Sequence, residues 1–553
     1  KANMGTASTL ADFLSWGVSN YPSERMGLIL WDHGSGSING VCFDEQYDYD
    51  SLTLGELDHA LNQVYDQMTD RFEFIGFDAC LMSTLETANV LTPYARYMYA
   101  SQEMEPGSGW DYTSLLNNLA ANPDQDGAQL GEKVCREYYD HCADYGFGSQ
   151  RSATFSIIDL SKIDDVLISM NEAFRVVYEQ GDLGDVTRAV LEADSFGGNS
   201  VSEGYSNMLD LGNMLDQLSG YGQEVRDASQ TLQSCVLYTM NGRLHKNASG
   251  LSVYYPVSIQ GSEELKIFSR ICPSNYYYAL IDKIAYGAEN GSAADYDNST
   301  LLSDMADINE WLGEESGFTG DVSTNAGEFA DIEIGQMGVS DIYFDEDGIY
   351  TVSFDNMDEL AYACCSVGMD DDADGFFYLG TTEEVIYDID RNCVTDNFDG
   401  LWPCINDNLL ALELVNTTDS CSIYTCNVLL NDEIETNLRI EYDWEYDEWN
   451  VIGIWDGIDE ETGMASREVY ELQDGDVITP AYYWFSVDDD EDWYYGDDIV
   501  VDGDLEITYE YLPEGVYYYC FELHDIYGNV YYTPFTLQYV DEDGEVWVDG
   551  EFY

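Results

Sequence analysis

The apolar run MGLILW is followed by TLGELDHALNQVYDQM, with apolar residues at helical spacing and Thr53 and Glu56 at capping-box distance, and then by a second apolar run, FEFIGF. This alternation of buried strand and amphipathic helix constrains the first half of the chain more than any other feature. LMSTLETANVL reads as a helix, YARYMYAS as a strand and QLGEKVCREYYDHCAD as a helix, and the step is repeated by SATFSIIDL and KIDDVLISMNEAFRVVYEQ. The pattern predicts an α/β domain whose mainly parallel sheet is covered by helices, with LSVYYPV around Val253 as a late strand.

The second half changes period. GIYTVSF, LLALELV, TNLRIEYDW, ITPAYYWFSV and GVYYYCFEL are short runs separated by Gly, Asp, Asn and Pro, as in one or two antiparallel β-sandwich modules. Composition changes with it: residues 1–290 carry 16 Lys plus Arg and 41 Asp plus Glu, whereas residues 291–553 carry 3 and 67. The junction AYGAENGSAADYDNST has loop composition. The expected organisation is an α/β domain over 1–290, a linker over 291–324 and an acidic β-sandwich region over 325–553.

A formal charge of −89 repels nucleic acid and anionic membrane and favours cationic ligands. No apolar run is long enough to span a bilayer. The 13 cysteines are too dispersed for a small disulfide scaffold, and their odd number leaves at least one thiol without an intramolecular partner. Asp370, Asp372 and Asp374 precede Gly375 in MDDDADGFF, but Thr381 stands where a calcium loop of the EF-hand type needs its bidentate Glu. Similar Asp-rich turns at Asp345, Asp541 and Asp543 point to a solvated surface.

Two polar steps close apolar runs: His33-Gly34 in LILWDHGSGS and Ala79-Cys80 in FIGFDACLMS. Ligands meet open α/β sheets at the carboxyl ends of strands, so these steps are expected to meet although 47 positions separate His33 from Cys80. A thiolate attacks a carbonyl, and an imidazole removes its proton and later protonates the departing amine. The N–H groups of Gly34 and Cys80 are candidate oxyanion donors, and a helix beginning near Leu81 would favour the thiolate. A small buried thiol and a hydrogen-bonded loop histidine satisfy the same spacing, so the residues alone leave both readings open.

LILWDHGSG, FIGFDACLMSTLETA, YMYASQEMEPGSGWDY, MLDLGNMLDQL and GLSVYYP, in that order, resemble the clostripain family of cysteine peptidases, of caspase-like fold, over about residues 8–290. The resemblance implies an α/β/α sandwich, His33 as general base and acid, Cys80 as nucleophile, and protein or peptide substrates with Arg or Lys before the cleaved bond. It points to Asp78 of DAC as the pocket carboxylate for that cation, a helix cap being its other reading. Asp111 is a second pocket candidate, with helix capping as its alternative. The chemistry requires no cofactor, but for some relatives the resemblance implies Ca2+ dependence and self-processing. It also implies a strand-and-helix segment ahead of the first residue, with a companion N-terminal chain after processing as one source. The expected protein is a secreted or cell-envelope endopeptidase; the alternative is a catalytically inactive binding or adhesion protein that uses the β-rich region.

Overall fold

The structure is a computed structural model that describes residues 1–290 and 338–553, apart from 144–146, 182, 260–261, 346–347, 356, 358–359, 372–374, 390, 419, 460–461, 468, 487–490, 504, 526–529, 542–545, 549 and 553. The expected linker and the Asp372 and Asp374 positions lie outside the described residues. The chain divides into two compact units. One takes in the described residues of Lys1–Asp182, Ala189–Phe329 and Gly457–Val469, the other those of Leu183–Arg188, Ala330–Asp456 and Tyr470–Tyr553.

The first unit is built on a five-stranded sheet in sequence order, β1 (Gly27–Trp31), β2 (Phe72–Asp78), β3 (Ala95–Ala100), β4 (Thr154–Asp159) and β5 (Val236–Asn241). Among its helices are α1 (Leu54–Tyr65), α2 (Leu85–Leu91), α3 (Tyr112–Ala121), α4 (Gly127–Cys142), α5 (Ile163–Gln180) and α6 (Gln223–Cys235). The Thr53–Glu56 capping box opens α1 as its spacing predicts. Strand alternation puts Phe74, Gly76 and Asp78 on one face of β2. There Phe74 joins Tyr99, Phe155 and Ile157 in a core closed by Leu115 of α3 and Leu130, Val134 and Tyr138 of α4. The sheet also touches α2 and α6, with α5 packed on α6, giving an α/β/α core.

Two expectations need correcting. The sheet is mixed, not mainly parallel: β1–β2 and β2–β3 pair parallel, β3–β4 and β4–β5 antiparallel. An apolar run reports burial and leaves strand direction unspecified. The strand around Val253 exists as Ser252–Tyr254, but it pairs with Met208–Asp210 in a separate small sheet.

The second unit is nearly all strand, and the pairings between its strands are antiparallel. One core gathers Tyr350, Val352, Val367, Tyr517, Tyr519 and Phe521; another gathers Leu410, Val428, Leu438, Ile440, Ile454 and Ile478. The strand Val477–Ser486 pairs with Cys421–Leu430 of the second and with Gly375–Thr382, a neighbour of the first core's strands. Burial alternates along Ile507–Tyr511 and Thr536–Val540, whereas the long central strands Leu360–Asp370, Ile434–Asp443 and Gly515–Asp525 are buried on both faces over most of their length.

Candidate active site

The parallel register of β1 on β2 sets Trp31 opposite Asp78. His33 and Cys80 each stand two residues beyond that pair, at the carboxyl ends of adjacent strands. The Asp32 N–H still donates to the Asp78 carbonyl at 3.4 Å, so the two chains leave the sheet together. Gly34 lies against the Cys80 backbone, where a Cβ would come within 2.3 Å of the Cys80 carbonyl oxygen. An antiparallel bridge joins Gly34 to Val41, but its bonds run from Cys42 N–H to the His33 carbonyl and from Ser35 N–H to the Gly40 carbonyl. The N–H of Gly34 takes no part in that bridge.

Beyond Cys80 the backbone turns through Leu81, whose φ of 64° is costly for a branched side chain. The loop is held by Leu81 N–H to the Glu103 carbonyl (3.3 Å) and Ser83 N–H to the Ser101 carbonyl (2.8 Å). This corrects the helix expected at Leu81: α2 begins at Leu85, capped by Thr84, whose hydroxyl accepts from Thr87 N–H. Ser83 and Thr84 make local bonds that compete with helix, which the apolar periodicity does not register.

The side chain of Cys80 is fully buried. Its sulfur accepts from Glu105 N–H at 3.2 Å and faces the Glu105 carbonyl at 3.7 Å. Burial pushes the thiol up to about 12, with the Arg467 charge pulling the other way. Burial therefore favours the thiol at Cys80, against the thiolate that a helix beginning near Leu81 was expected to favour.

Asp78 is also fully buried, and both of its oxygens are engaged. Oδ2 accepts from Trp110 N–H (3.2 Å) and from the Tyr112 hydroxyl (2.8 Å), and Oδ1 pairs with Nη2 of Arg467 at 2.8 Å. Gly109, at φ 63°, makes room: a Cβ there would meet both carboxylate oxygens at 2.5 Å. Glu105 is a second buried carboxylate at this place. Burial, then the charge of Asp78, raise its pKa well above the usual carboxylate range, while Arg467 and the Trp110 indole N–H (3.1 Å) oppose the rise. Asp111 caps α3, accepting from Ser114 N–H at 3.0 Å, and its neighbours Trp110 and Tyr112 are the residues that reach Asp78.

The segment Gly457–Val469, distant in sequence but part of this unit, contributes most of what sequence reasoning missed. Besides the ion pair to Asp78, Arg467 Nη1 donates to the Asp32 carbonyl at 3.3 Å. The Ala465 carbonyl accepts from His33 Nδ1 at 2.9 Å, and Ala465 N–H donates to Ser35 Oγ at 2.8 Å. A signal for Arg467 was present, since it is one of only three cationic residues among 291–553, beside Arg391 and Arg439.

A second missed residue is His245, enclosed between Asp194 (Nδ1, 2.9 Å) and Glu103 (Nε2, 3.1 Å). Burial opposes its charge, but the two carboxylates outweigh burial and hold its pKa well above the usual histidine value. Glu103 also accepts from the N–H groups of Met104 and Gly197, so this cluster anchors the strand end that holds Leu81.

Among the described residues, the grouping of three possible metal donors is Cys364, Glu522 and His524, in the second unit. Register explains it, because Cys364 faces Glu522 and Tyr362 faces His524 on paired strands. One thiol, one imidazole and one carboxylate do not suit calcium, which takes six to eight oxygens. Glu522 already accepts from Ser366 and pairs with His524.

The clostripain family model matches residues 1–291. Clostripain of Hathewaya histolytica is 28% identical over 156 residues, covering 24% of this chain and 28% of clostripain, so the chain matches little more than a quarter of that relative's length. Among solved structures, an inactive zymogen of a protease from Parabacteroides distasonis is 17% identical, with 51% of this chain and 77% of that one covered and a TM-score of 0.38. A secreted cysteine protease from Bacteroides thetaiotaomicron, in complex with an irreversible peptide inhibitor, is 19% identical, with 50% and 78% covered and a TM-score of 0.37.

Proposed function

The chain belongs to the clostripain family, and we propose that it is a cysteine endopeptidase that hydrolyses peptide bonds after Arg or Lys. The observation that carries this reading is the register that sets His33 and Cys80 each two residues past the Trp31–Asp78 pair, at one end of one sheet. In the proposed reaction His33 takes the Cys80 proton, the thiolate adds to the substrate carbonyl, and the negative charge develops towards the N–H groups of Gly34 and Cys80. The proton passes from His33 to the departing amine, leaving an acyl-enzyme. Water, deprotonated by His33, then releases the acid and the thiol.

Selection of a cation falls to Asp78. A buried carboxylate steadied by Trp110 N–H and the Tyr112 hydroxyl keeps one oxygen for a guanidinium or ammonium, and Arg467 illustrates the fit. Asp111, as a cap of α3, acts by setting Tyr112 at the start of that helix and is not itself a contact for substrate. The burial of Cys80 favours the second reading, a silent binding or adhesion protein of the extracellular space or cell envelope.

A cleavage screen separates the two. After long incubation with the full chain, the proposal expects cuts in a peptide mixture to follow Arg and Lys, and to vanish with Cys80→Ala. Cuts that survive that substitution, or that follow uncharged residues, overturn it.

A further inference from the structure

We propose that Gly457–Val469 is a built-in ligand of the candidate active site, with Arg467 in the place of a substrate's cationic side chain, and that it holds the full chain latent; this rests on the peptidase reading above. The described residues of the segment are tied to one another as in a hairpin. Ile458 bridges Ala465, Ser466 N–H donates to the Gly457 carbonyl (3.0 Å) and Gly463 N–H to the Asp459 carbonyl (2.7 Å). Thr462 N–H donates to Asp459 Oδ1 at 2.8 Å, and Gly457 and Gly463 take φ values of 83° and 68°. A hairpin ordered by its own bonds loses little entropy on engaging the site.

Its contacts fall on the groups that a peptide would need. Arg467 pairs with Asp78, the side chains being 7% and 0% exposed. Ala465 takes His33 Nδ1 on its carbonyl and Ser35 Oγ on its N–H. At the far end Ile458 N–H donates to the Glu203 carbonyl at 2.7 Å, and Asn39 Nδ2 donates to the Gly463 carbonyl at 3.4 Å. A brace serving only stability would have no reason to engage the candidate base and the candidate specificity carboxylate together.

Charge supports the assignment. Residues 291–553 hold three cations against 67 carboxylates, and one of the three lies beside two buried carboxylates, Asp78 and Glu105. Nε of Arg467 has no hydrogen-bond partner, so the guanidinium does not spend all of its donors on this site. Separation of the hairpin from the site remains within reach. As part of the same chain it competes at an effective concentration of about 1 mM, so a hairpin that holds the site with a Kd of about 0.1 mM gives latency of about tenfold.

The test uses the full chain as wild type, Arg467→Ala and Gly463→Ala. Gly463→Ala keeps every charge but asks an alanine to adopt φ 68° with its Cβ 2.4 Å from the Asn39 amide. It strains the hairpin should Arg467→Ala, which leaves two buried carboxylates unpaired, fail to fold. Two quantities are read: kcat/KM on a short Arg peptide, and the rate of Cys80 alkylation by iodoacetamide, located by peptide mapping. Arg467→Ala should raise both by about tenfold or more, and Gly463→Ala should raise both by a smaller factor. A rise in alkylation without any cleavage upholds the hairpin as a cover and overturns the peptidase reading. Cleavage by the wild type with both rates unchanged in a folded Gly463→Ala overturns the latency and leaves the peptidase reading standing. No cleavage and unchanged alkylation overturn both.

Discussion

Replacing His245 with Gln removes the cation between two buried carboxylates and leaves one side-chain N–H2 to face them. His245 lies 2.9 Å from Asp194 and 3.1 Å from Glu103, and all three side chains are no more than 5% exposed, so solvent screens little of the loss. Breaking a buried ionic cluster in this way costs about 3–5 kcal/mol, which for a unit of this size corresponds to a fall in Tm of roughly 6–15 °C. The sign with pH follows from the raised pKa. Protonated His245 contributes stability in full below the ordinary histidine value and loses it as pH rises through the higher folded value. The gap between wild type and His245→Gln in thermal melts should therefore be wide at neutral pH and shrink as the solution is made alkaline. At acid pH the gap should also narrow, because one carboxylate of the variant can accept a proton. A shift of under about 2 °C at neutral pH, or a gap that widens steadily with pH, would refute the charged cluster. Since the Glu103 carbonyl holds Leu81 N–H, the variant should also lower kcat more than it raises KM.

Asp78→Asn, measured in the Gly463→Ala background so that hairpin release is shared by both proteins, should cost about 1–3 kcal/mol in kcat/KM for Arg peptides. Matched Gln peptides should lose far less; equal proportional losses would remove Asp78 from the pocket. With a formal charge of −89, the full chain should melt higher as salt is raised from a few millimolar to about 0.15 M. A melting profile indifferent to salt would show that the acidic residues are too well dispersed to repel.

The sequence made the strand ends legible because β2 is buried along nearly its whole length and β1 buries Leu28 and Leu30, each run giving way to polar, small residues, and the parallel register did the rest. It misplaced the helix after Cys80 because Ser83 and Thr84 spend their polar groups on the loop and cap, a choice made by tertiary partners such as the Gly250 carbonyl. Asp111 was read as a second pocket residue with a helix cap as its alternative, and the cap is the contact the structure shows, since Asp before an amphipathic run commonly takes that place. Arg467 and His245 were missed for a different reason. Their partners lie 389 and 142 or 51 positions away, and no local period records such a meeting. A lone cation in an intensely acidic stretch is the one local sign that Arg467 was destined for a carboxylate.

Cys80 is proposed as the nucleophile of a site that selects cations. A peptide ending in Arg and carrying an acyloxymethyl ketone, incubated with the full Gly463→Ala chain and followed by peptide mapping, tests it most directly. Thirteen free thiols compete for the reagent. One adduct is expected, on Cys80, formed about 5- to 150-fold more slowly after Asp78→Asn and absent when the peptide ends in Asp. An adduct on another cysteine, or equal labelling of Cys80 by the Arg and Asp reagents, would contradict it.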